Sequence, residues 1–595
     1  MKTKGVLTLL ICTCSNRIER VQKMLLPQHE DIRYVISWQN PPDEESERHY
    51  REVFSGRDDV LLTTLKYHSG LSANRNNAFQ HWHTEFGLIC DDDEVFSVVG
   101  LLEIVRQFKR HPRHDILCFK AQNMQGKALR EYSSKSFEYS KRPRFTYFCS
   151  FEIALRRTAA LPYFDERFGL QSAHLCCGEE EVFLEKAHQK GLRIRYIPIF
   201  ICQTADLTTT TSSENAEKIL LSKGGVLRLM HGKWNARLRC LKYALTNQPA
   251  NACKTFKTLN KGIDYIDKTH SIHLTESENT KPFLSIVIPA HNRADLLSRT
   301  LASLERMCYR NIDLIFVDDH STDGTWDLLN EFKQNKQHLF HQVSVIHNPA
   351  EHCSAAGSRN AGFETVKIDY VYFFDSDDEI SPDFTLDAIT IIGHHHPDML
   401  CCGTNMVFEN GKVKKRDMPH SLTAVSHILT GALSTQSVII NSEFLRKIGG
   451  WNNNLRQWDD WELGVRLLLH ARRFLLMPKS HYHRIYQHEN GLTGEKISKV
   501  FKNFLTVFST VKEDIEKFTE IHKSLRIKLY SSLAAKIYVF DDNLLKHGNL
   551  EKSKELRNFV KDIPVSTRMR WIIKATHWLP SWAKKGMWRI YFLFL

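Results

Sequence analysis

Two short stretches of this chain drive an apolar run into a knot of carboxylates. "GLICDDDEVF" (87–96) and "VYFFDSDDEI" (371–380) place Asp91 and Asp375 284 positions apart. Neighbouring carboxylates about 4 Å apart repel by roughly 4 kcal/mol at an effective dielectric near 20. A divalent cation with oxygen ligands is the usual offset for such crowding. For a single DxD, an ordinary Asp-rich turn explains the residues as well. The repetition favours the cation. Arg75-Asn76 and Arg359-Asn360 are also 284 apart, and each Asn precedes its first Asp by 15 residues. Farther on, Gly178-Glu179-Glu180-Glu181 answers to Trp458-Asp459-Asp460-Trp461-Glu462. Three landmarks in the same order indicate two diverged copies of one domain type.

The surrounding pattern supplies elements that hold these acids. In the first copy (1–205), strands are expected at 6–12, 33–37 and 86–90, with helices between them. A helix starts near Glu180, followed by a late strand in "LRIRYIPIF" (192–200). A Thr/Ser-rich stretch (206–215) opens a mostly helical linker running to residue 280. The second copy (281–495) starts with the buried strand "PFLSIVIPAHNR" (282–293), followed by Leu297, Leu301, Leu304 and Cys308 at helical spacing. "IDLIFVDDHSTDGT" (312–325) is another strand ending in acids. Strands alternating with helices predict an α/β fold with a mostly parallel sheet, whose ligands bind beyond the carboxyl ends of the strands. Residues 496–595 form a helical region. Its last thirty residues contain no acid and interleave Arg and Lys with Trp571, Trp578, Trp582 and Trp588. That composition suits a helix lying in a membrane interface.

Composition narrows the function classes. A chain of 595 residues, 42% hydrophobic and 25% charged, is long enough for two to four domains with their own cores. The net charge of +13 comes without zinc-finger spacing or a dense basic run, so nucleic acid is not expected as a partner. Fourteen cysteines without a CxxC pair read as reduced thiols of a cytoplasmic protein. The apolar opening lacks a small-residue cleavage site and reads as a buried strand. No run of 18 apolar residues is present to span a membrane.

From 282 to 495 the chain resembles the family 2 glycosyltransferases with the GT-A nucleotide-sugar fold. The resemblance rests on Pro289-Ala290-His291-Asn292-Arg293, Val317-Asp318-Asp319, Gly357-Ser358-Arg359-Asn360-Ala361-Gly362, Asp375-Ser376-Asp377-Asp378 and Trp458-Asp459-Asp460-Trp461-Glu462. It implies that Pro289, Asn292, Arg293, Arg359 and Asn360 line a nucleotide-sugar site and that Asp318 or Asp319 accepts hydrogen bonds from base or ribose. Asp375 and Asp377 would hold Mn²⁺ or Mg²⁺ against the diphosphate. Asp460, with Asp459 as the second candidate, would be the general base of an inverting single displacement. A histidine ligand is expected in "SHYHRIYQHENGLTG" (480–494), with His488 and His483 both open.

The first copy is similar to a more distant member. Asn16, Arg17, Arg75, Asn76 and Asp91 are its donor-side candidates, Asp91 and Asp93 its metal ligands, and Glu180 and Glu179 its bases. It departs at "YVISWQNPP", where Gln39 stands in place of the strand-end acid. The resemblance implies a bifunctional, metal-dependent hexosyltransferase using nucleotide-sugars of the UDP class. It would build a capsule or lipopolysaccharide chain on a glycan or lipid-linked glycan acceptor, peripherally attached to the cytoplasmic face of the inner membrane. The alternative makes the first copy an acceptor-binding module.

Overall fold

The computed structural model describes residues 5–144, 146–172, 174–204, 216–268, 283–349, 351, 353–419, 422–477, 482–487, 497–519 and 522–577. The chain divides into two compact units, one essentially up to residue 281 and one beyond it. Each is built on an α/β sheet.

The N-terminal unit contains β1 (Leu7–Cys14), β2 (Ile32–Gln39), β3 (Val60–Leu65), β4 (Phe86–Cys90), β5 (Val95–Phe96), β6 (Ile116–Asn123), β7 (Phe137–Glu138), β8 (Ile153–Arg156) and β9 (Ile194–Thr204). They form one sheet in the order β3-β2-β1-β4-β8-β6-β9-β5, with β7 also on β9. β1, β2, β3 and β4 are parallel, whereas β8 runs antiparallel to both β4 and β6. β1 is buried along nearly its whole length, as its apolar run from Leu7 requires.

The C-terminal unit contains β10 (Leu284–Ala290), β11 (Asp313–Asp318), β12 (Gln342–His347), β13 (Tyr370–Phe373), β14 (Glu379–Ile380), β15 (Met399–Cys401), β16 (Thr404–Phe408), β17 (Val413–Arg416), β18 (Val438–Asn441), β19 (Phe474–Leu476) and β20 (His483–Gln487). Its main sheet runs β12-β11-β10-β13-β18-β15-β19, and β14, β20, β16 and β17 make a smaller one. Strand for strand this repeats β3-β2-β1-β4-β8-β6-β9, including the antiparallel strand beside the acidic one. The parallel half of each sheet follows the expected alternation. The antiparallel insertions are four-residue strands, too short to show a period in the sequence.

Helices cover each sheet. Gly362 lets the helix Ala355–Glu364 lie directly on β10, since a Cβ there would meet Val287 Cγ1 at 2.4 Å. Residues 216–268 form three helices within the N-terminal unit. There Val226 and Ile266 pack with Phe168, Leu175 and Val182, the last on the helix Glu179–Gln189. The helices Ile497–Lys517, Lys523–Lys546, Leu550–Lys561 and Thr567–His577 share a core with Trp461 and Val465 of the helix Asp459–His470. No helix of the described residues is long and apolar enough to cross a membrane. The basic aromatic segment beyond residue 577 lies outside the described residues, as does the stretch 206–215.

Candidate active sites

In the C-terminal unit the acids converge on one buried guanidinium. Arg359, on the helix behind β10, donates from Nη2 to Asp375 Oδ1 at 2.8 Å and from Nη1 to Asp459 Oδ2 at 2.9 Å. The same guanidinium lies 4.5 Å from the centroid of the Trp451 ring. One cation thus ties the end of β13 to the start of the helix Asp459–His470. Gln436 Nε2 bridges the other Asp375 oxygen, at 2.5 Å, and Asp378 Oδ2, at 2.7 Å. The Tyr486 N–H donates to Asp378 Oδ1 at 2.8 Å. Burial, and then Asp375 and Asp377, push the Asp378 carboxyl up to about 9. Asp377 is partly buried, with Arg293 Nε 3.6 Å from its Oδ2, and Arg299 donates to its backbone carbonyl at 2.6 Å.

Asp460 follows Asp459 in the first turn of its helix, and Arg359 makes no ion pair with it. Burial, and then Asp459, raise its carboxyl to about 6, while Arg416 opposes the rise. A carboxylate in that range is a competent proton acceptor near neutrality. Its helix begins unusually, because Trp458 holds the left-handed conformation at φ 60°. A bulky residue there is strained by about 1–3 kcal/mol. Aromatic packing holds it in place, with Phe504 edge-on at 4.9 Å, Phe540 at 6.0 Å and Lys536 Nζ 5.0 Å over the ring.

At the end of β11, Asp318 is buried, accepts from Ser321 N–H at 3.2 Å and faces His347 Nδ1 at 3.4 Å. Asp319 accepts from Asn348 Nδ2 at 2.6 Å. His347 stacks on Trp326 with ring centroids 3.7 Å apart. Asn292, at φ 49°, accepts from Thr322 N–H at 2.8 Å, which closes the loop after β10. Pro289 pairs with Val317 inside the sheet.

The N-terminal unit repeats the plan with different bonding. Arg75 Nη2 meets Asp91 Oδ1 at 3.1 Å, while Nη1 meets Glu180 Oε1 at 2.9 Å and Glu179 Oε1 at 3.4 Å. Its guanidinium lies 5.2 Å from the Phe164 ring, as Arg359 lies by Trp451. Gly178 takes the left-handed place of Trp458 at φ 94°, and a Cβ there would come 2.5 Å from Val226 Cγ2. Burial, and then Glu180, raise Glu179 to about 8. Arg17 pairs with Asp92 and stands 3.7 Å from Asp93, matching Arg293 beside Asp377. Burial, and then Asp92, raise the Asp93 carboxyl. Asn16 is exposed in the turn after β1.

Several expected residues are placed elsewhere. Asn360 hydrogen-bonds both the Trp451 N–H (2.9 Å) and its carbonyl (2.8 Å), and Asn76 does the same with Phe164. Both asparagines hold the loop beneath the arginine rather than facing the acids. Gln39 ends β2 opposite Cys14, and the β1–β4 and β10–β13 registers put Trp38 at the position of Asp318 and Gln39 at that of Asp319. Its amide is spent on the carbonyls of His68 (2.7 Å) and Gly70 (3.1 Å), because an amide buried at a strand end must pair with backbone. His483 is buried among Phe374, Phe384 and Tyr482, with Nε2 2.9 Å from Tyr372 Oη, and burial lowers it to about 3. It is not brought to the acids, and His488 lies outside the described residues.

Gln436, Arg299, Arg416 and Trp451 were not anticipated. They sit in segments without a motif, and only the fold brings Gln436, Arg299 and Arg416 to the acids and Trp451 to Arg359.

A divalent cation bound here would be held by this donor set. No cluster of three or more metal-ligating side chains occurs among the described residues. Both Asp375 oxygens are engaged, by Arg359 and Gln436, whereas Asp377 meets Arg293 only at 3.6 Å. Mg²⁺-type ions are held by one or two carboxylates plus substrate phosphates. The residues fit a cation carried largely by a diphosphate.

The family model for glycosyl transferase family 2 matches residues 10–163 and 285–449, together more than half of the chain. The chain belongs to glycosyl transferase family 2. Two GT-A domains in tandem, followed by a helical C-terminal region, make up its fold. Both matched stretches end before the candidate bases, whose pairing therefore rests on the geometry of each unit.

Relatives in the family include the Escherichia coli UDP-Glc:alpha-D-GlcNAc-diphosphoundecaprenol beta-1,3-glucosyltransferase WfaP. It is 38% identical over 96 residues, which are 16% of this chain and 35% of that protein. The amylovoran biosynthesis glycosyltransferase AmsB of Erwinia amylovora is 24% identical over 36% of this chain and 73% of its own length. The putative teichuronic acid biosynthesis glycosyltransferase TuaG of Bacillus subtilis is 27% identical over 30% and 70%. The match thus spans about a third of the length of WfaP. Among solved structures, S. aureus TarS in complex with UDP aligns at 20% identity with a TM-score of 0.36, covering 43% of this chain and 71% of that one.

Proposed function

We propose that the chain is an inverting glycosyltransferase with two donor sites, building a bacterial surface polysaccharide from nucleotide-sugars of the UDP class. The observation that carries this reading is the bonding of Arg359. By pairing with Asp375 and Asp459, it leaves both Asp460 and Asp377 outside its ion pairs. Asp460 accepts the proton of an acceptor hydroxyl as that oxygen attacks the anomeric carbon. Asp318, Asp319 and the Trp326–His347 pair frame the nucleoside end of the donor. Asp377, with Asp375, would hold Mn²⁺ or Mg²⁺. When bound, that ion supplies Lewis-acid stabilisation of the departing diphosphate. Arg293 and Arg299 add positive charge on the same side.

The N-terminal domain carries the second site, with Asp93 and Glu180 in the corresponding roles. The polysaccharide named for AmsB and the lipid-linked substrate named for WfaP support an acceptor of bacterial glycan or lipid-linked glycan class. The chain works at the cytoplasmic face of the inner membrane, held peripherally by its basic surface.

A second reading makes the N-terminal domain an acceptor-binding module. The inward-turned Gln39 and the ion pair on Glu180 favour it. The test follows nucleotide diphosphate release from a panel of nucleotide-sugars with Mn²⁺ for wild type, Asp377→Ala and Asp93→Ala. Loss of two different sugars is the expected result. An Asp93→Ala variant that turns over every donor like wild type removes the N-terminal site from the reading.

A further inference from the structure

The helix Lys233–Asn247 has two unlike faces. One packs Ala236 and Cys240 with Leu259 and Ile263 of the neighbouring helix Ala252–Lys268, and Ala244 is buried on the same side. The other shows Trp234, Leu238, Leu241 and Leu245, which are 76%, 66%, 42% and 57% exposed. Spacings of four, three and four residues keep these side chains in one narrow stripe. One exposed leucine is ordinary, whereas four large apolar side chains in line are not.

Charge identifies what covers the stripe. The helix holds four cations and no acid. Lys233 pairs with Asp267 at 3.0 Å and Arg237 with Asp264 at 3.3 Å, on the neighbouring helix. Arg239 and Lys242 are exposed beside the stripe, and neither makes an ion pair among the described residues. A second copy docking face to face would set these cations against their own equivalents. An anionic lipid surface offers an apolar layer for the stripe and phosphates for the cations.

We propose that helix Lys233–Asn247 is an in-plane membrane anchor, which seats the N-terminal domain on an anionic bilayer independently of the basic aromatic C-terminal segment. Flotation of the full chain with phosphatidylglycerol/phosphatidylethanolamine vesicles tests this. The comparison variant carries Trp234→Ser, Leu238→Ser, Leu241→Ser and Leu245→Ser together. All four side chains are exposed, so its thermal unfolding is expected to match wild type, as is its nucleotide diphosphate release in solution. The expected result is vesicle binding by wild type and a fall of about tenfold or more in the variant's partition coefficient. Arg239→Glu with Lys242→Glu should weaken binding and flatten its salt dependence. Equal flotation of wild type and the serine variant overturns the proposal. So does a wild type that never floats. A wild-type dimer that the serine variant dissolves, with no vesicle binding in either, also overturns it and makes a second copy the occupant.

Discussion

In the N-terminal domain Arg75 reaches Asp91, Glu179 and Glu180, whereas in the C-terminal domain Arg359 reaches Asp375 and Asp459 and makes no ion pair with Asp460. The backbones that present these groups agree closely. Both have the same strand order, a left-handed residue ahead of the helix and an aromatic ring against the guanidinium. The difference comes from side-chain length. A glutamate one methylene longer than aspartate reaches back to the arginine, so Glu180 is ion-paired to it, whereas Asp460 feels Arg359 and Arg416 only through space. The same fold therefore holds one candidate base outside the arginine's ion pairs and one within them.

The largest effect expected from this contrast is on the bases themselves. Asp460→Asn should lower turnover at the C-terminal site by about 10²–10⁴-fold with donor affinity retained, as expected for loss of a general base. Nucleotide diphosphate release with acceptor measures it. Glu180→Gln should do the same for a different sugar. Equal turnover in Glu180→Gln and wild type would break the symmetry between the domains.

The arginines come next. Removing one partner of a buried ion pair costs about 3–5 kcal/mol. Arg359→Met and Arg75→Met should both lower the midpoint of thermal unfolding, by similar amounts near neutral pH. Glu179, raised to about 8, is held neutral there, and each arginine then strands two charged carboxylates.

Protonation sharpens the comparison further. Asp460 is raised to about 6 by burial and then by Asp459, so transfer at the C-terminal site should rise through pH 6 and level off above it. The folded carboxyl binds its proton more tightly than the unfolded one. Stability therefore falls as pH rises from about 4 to 6. Asp460→Asn should accordingly stabilise the chain above pH 6, with the gain vanishing below about pH 4. Thermal melts across that range test the sign.

The smallest effect expected is at the strand ends. Gln39→Asp puts an acid at the end of β2, at the position of Asp319, but points it at the carbonyls of His68 and Gly70. It should destabilise the chain by about 1–3 kcal/mol without adding donor affinity. Asp318→Asn, in contrast, should weaken donor binding and leave stability nearly unchanged.

The repeated landmarks made much of this legible before any coordinates. Apolar runs ending in Asp91 and Asp375 had to be buried strands with polar ends, and they are β4 and β13 with their carboxylates just beyond. Asn76 and Asn360 were equally visible as a repeat. Their invariance across the two copies reflects a loop anchor, which residue type alone does not separate from a ligand contact. Gln39 was recognised as a departure, but the direction of its amide depends on carbonyls 29 and 31 residues away.

By itself the sequence determined that two α/β domains of one type stand in tandem, each with acids at the carboxyl ends of its strands. Hydrophobic period and strand-end polarity are local properties of the chain. Only the tertiary structure decided which carboxylates a buried guanidinium neutralises and which remain available. That choice rests on distances between β13, the helix Ala355–Glu364 and the helix Asp459–His470, the last contributing Asp459 from 100 residues beyond Arg359, a separation that no local pattern relates.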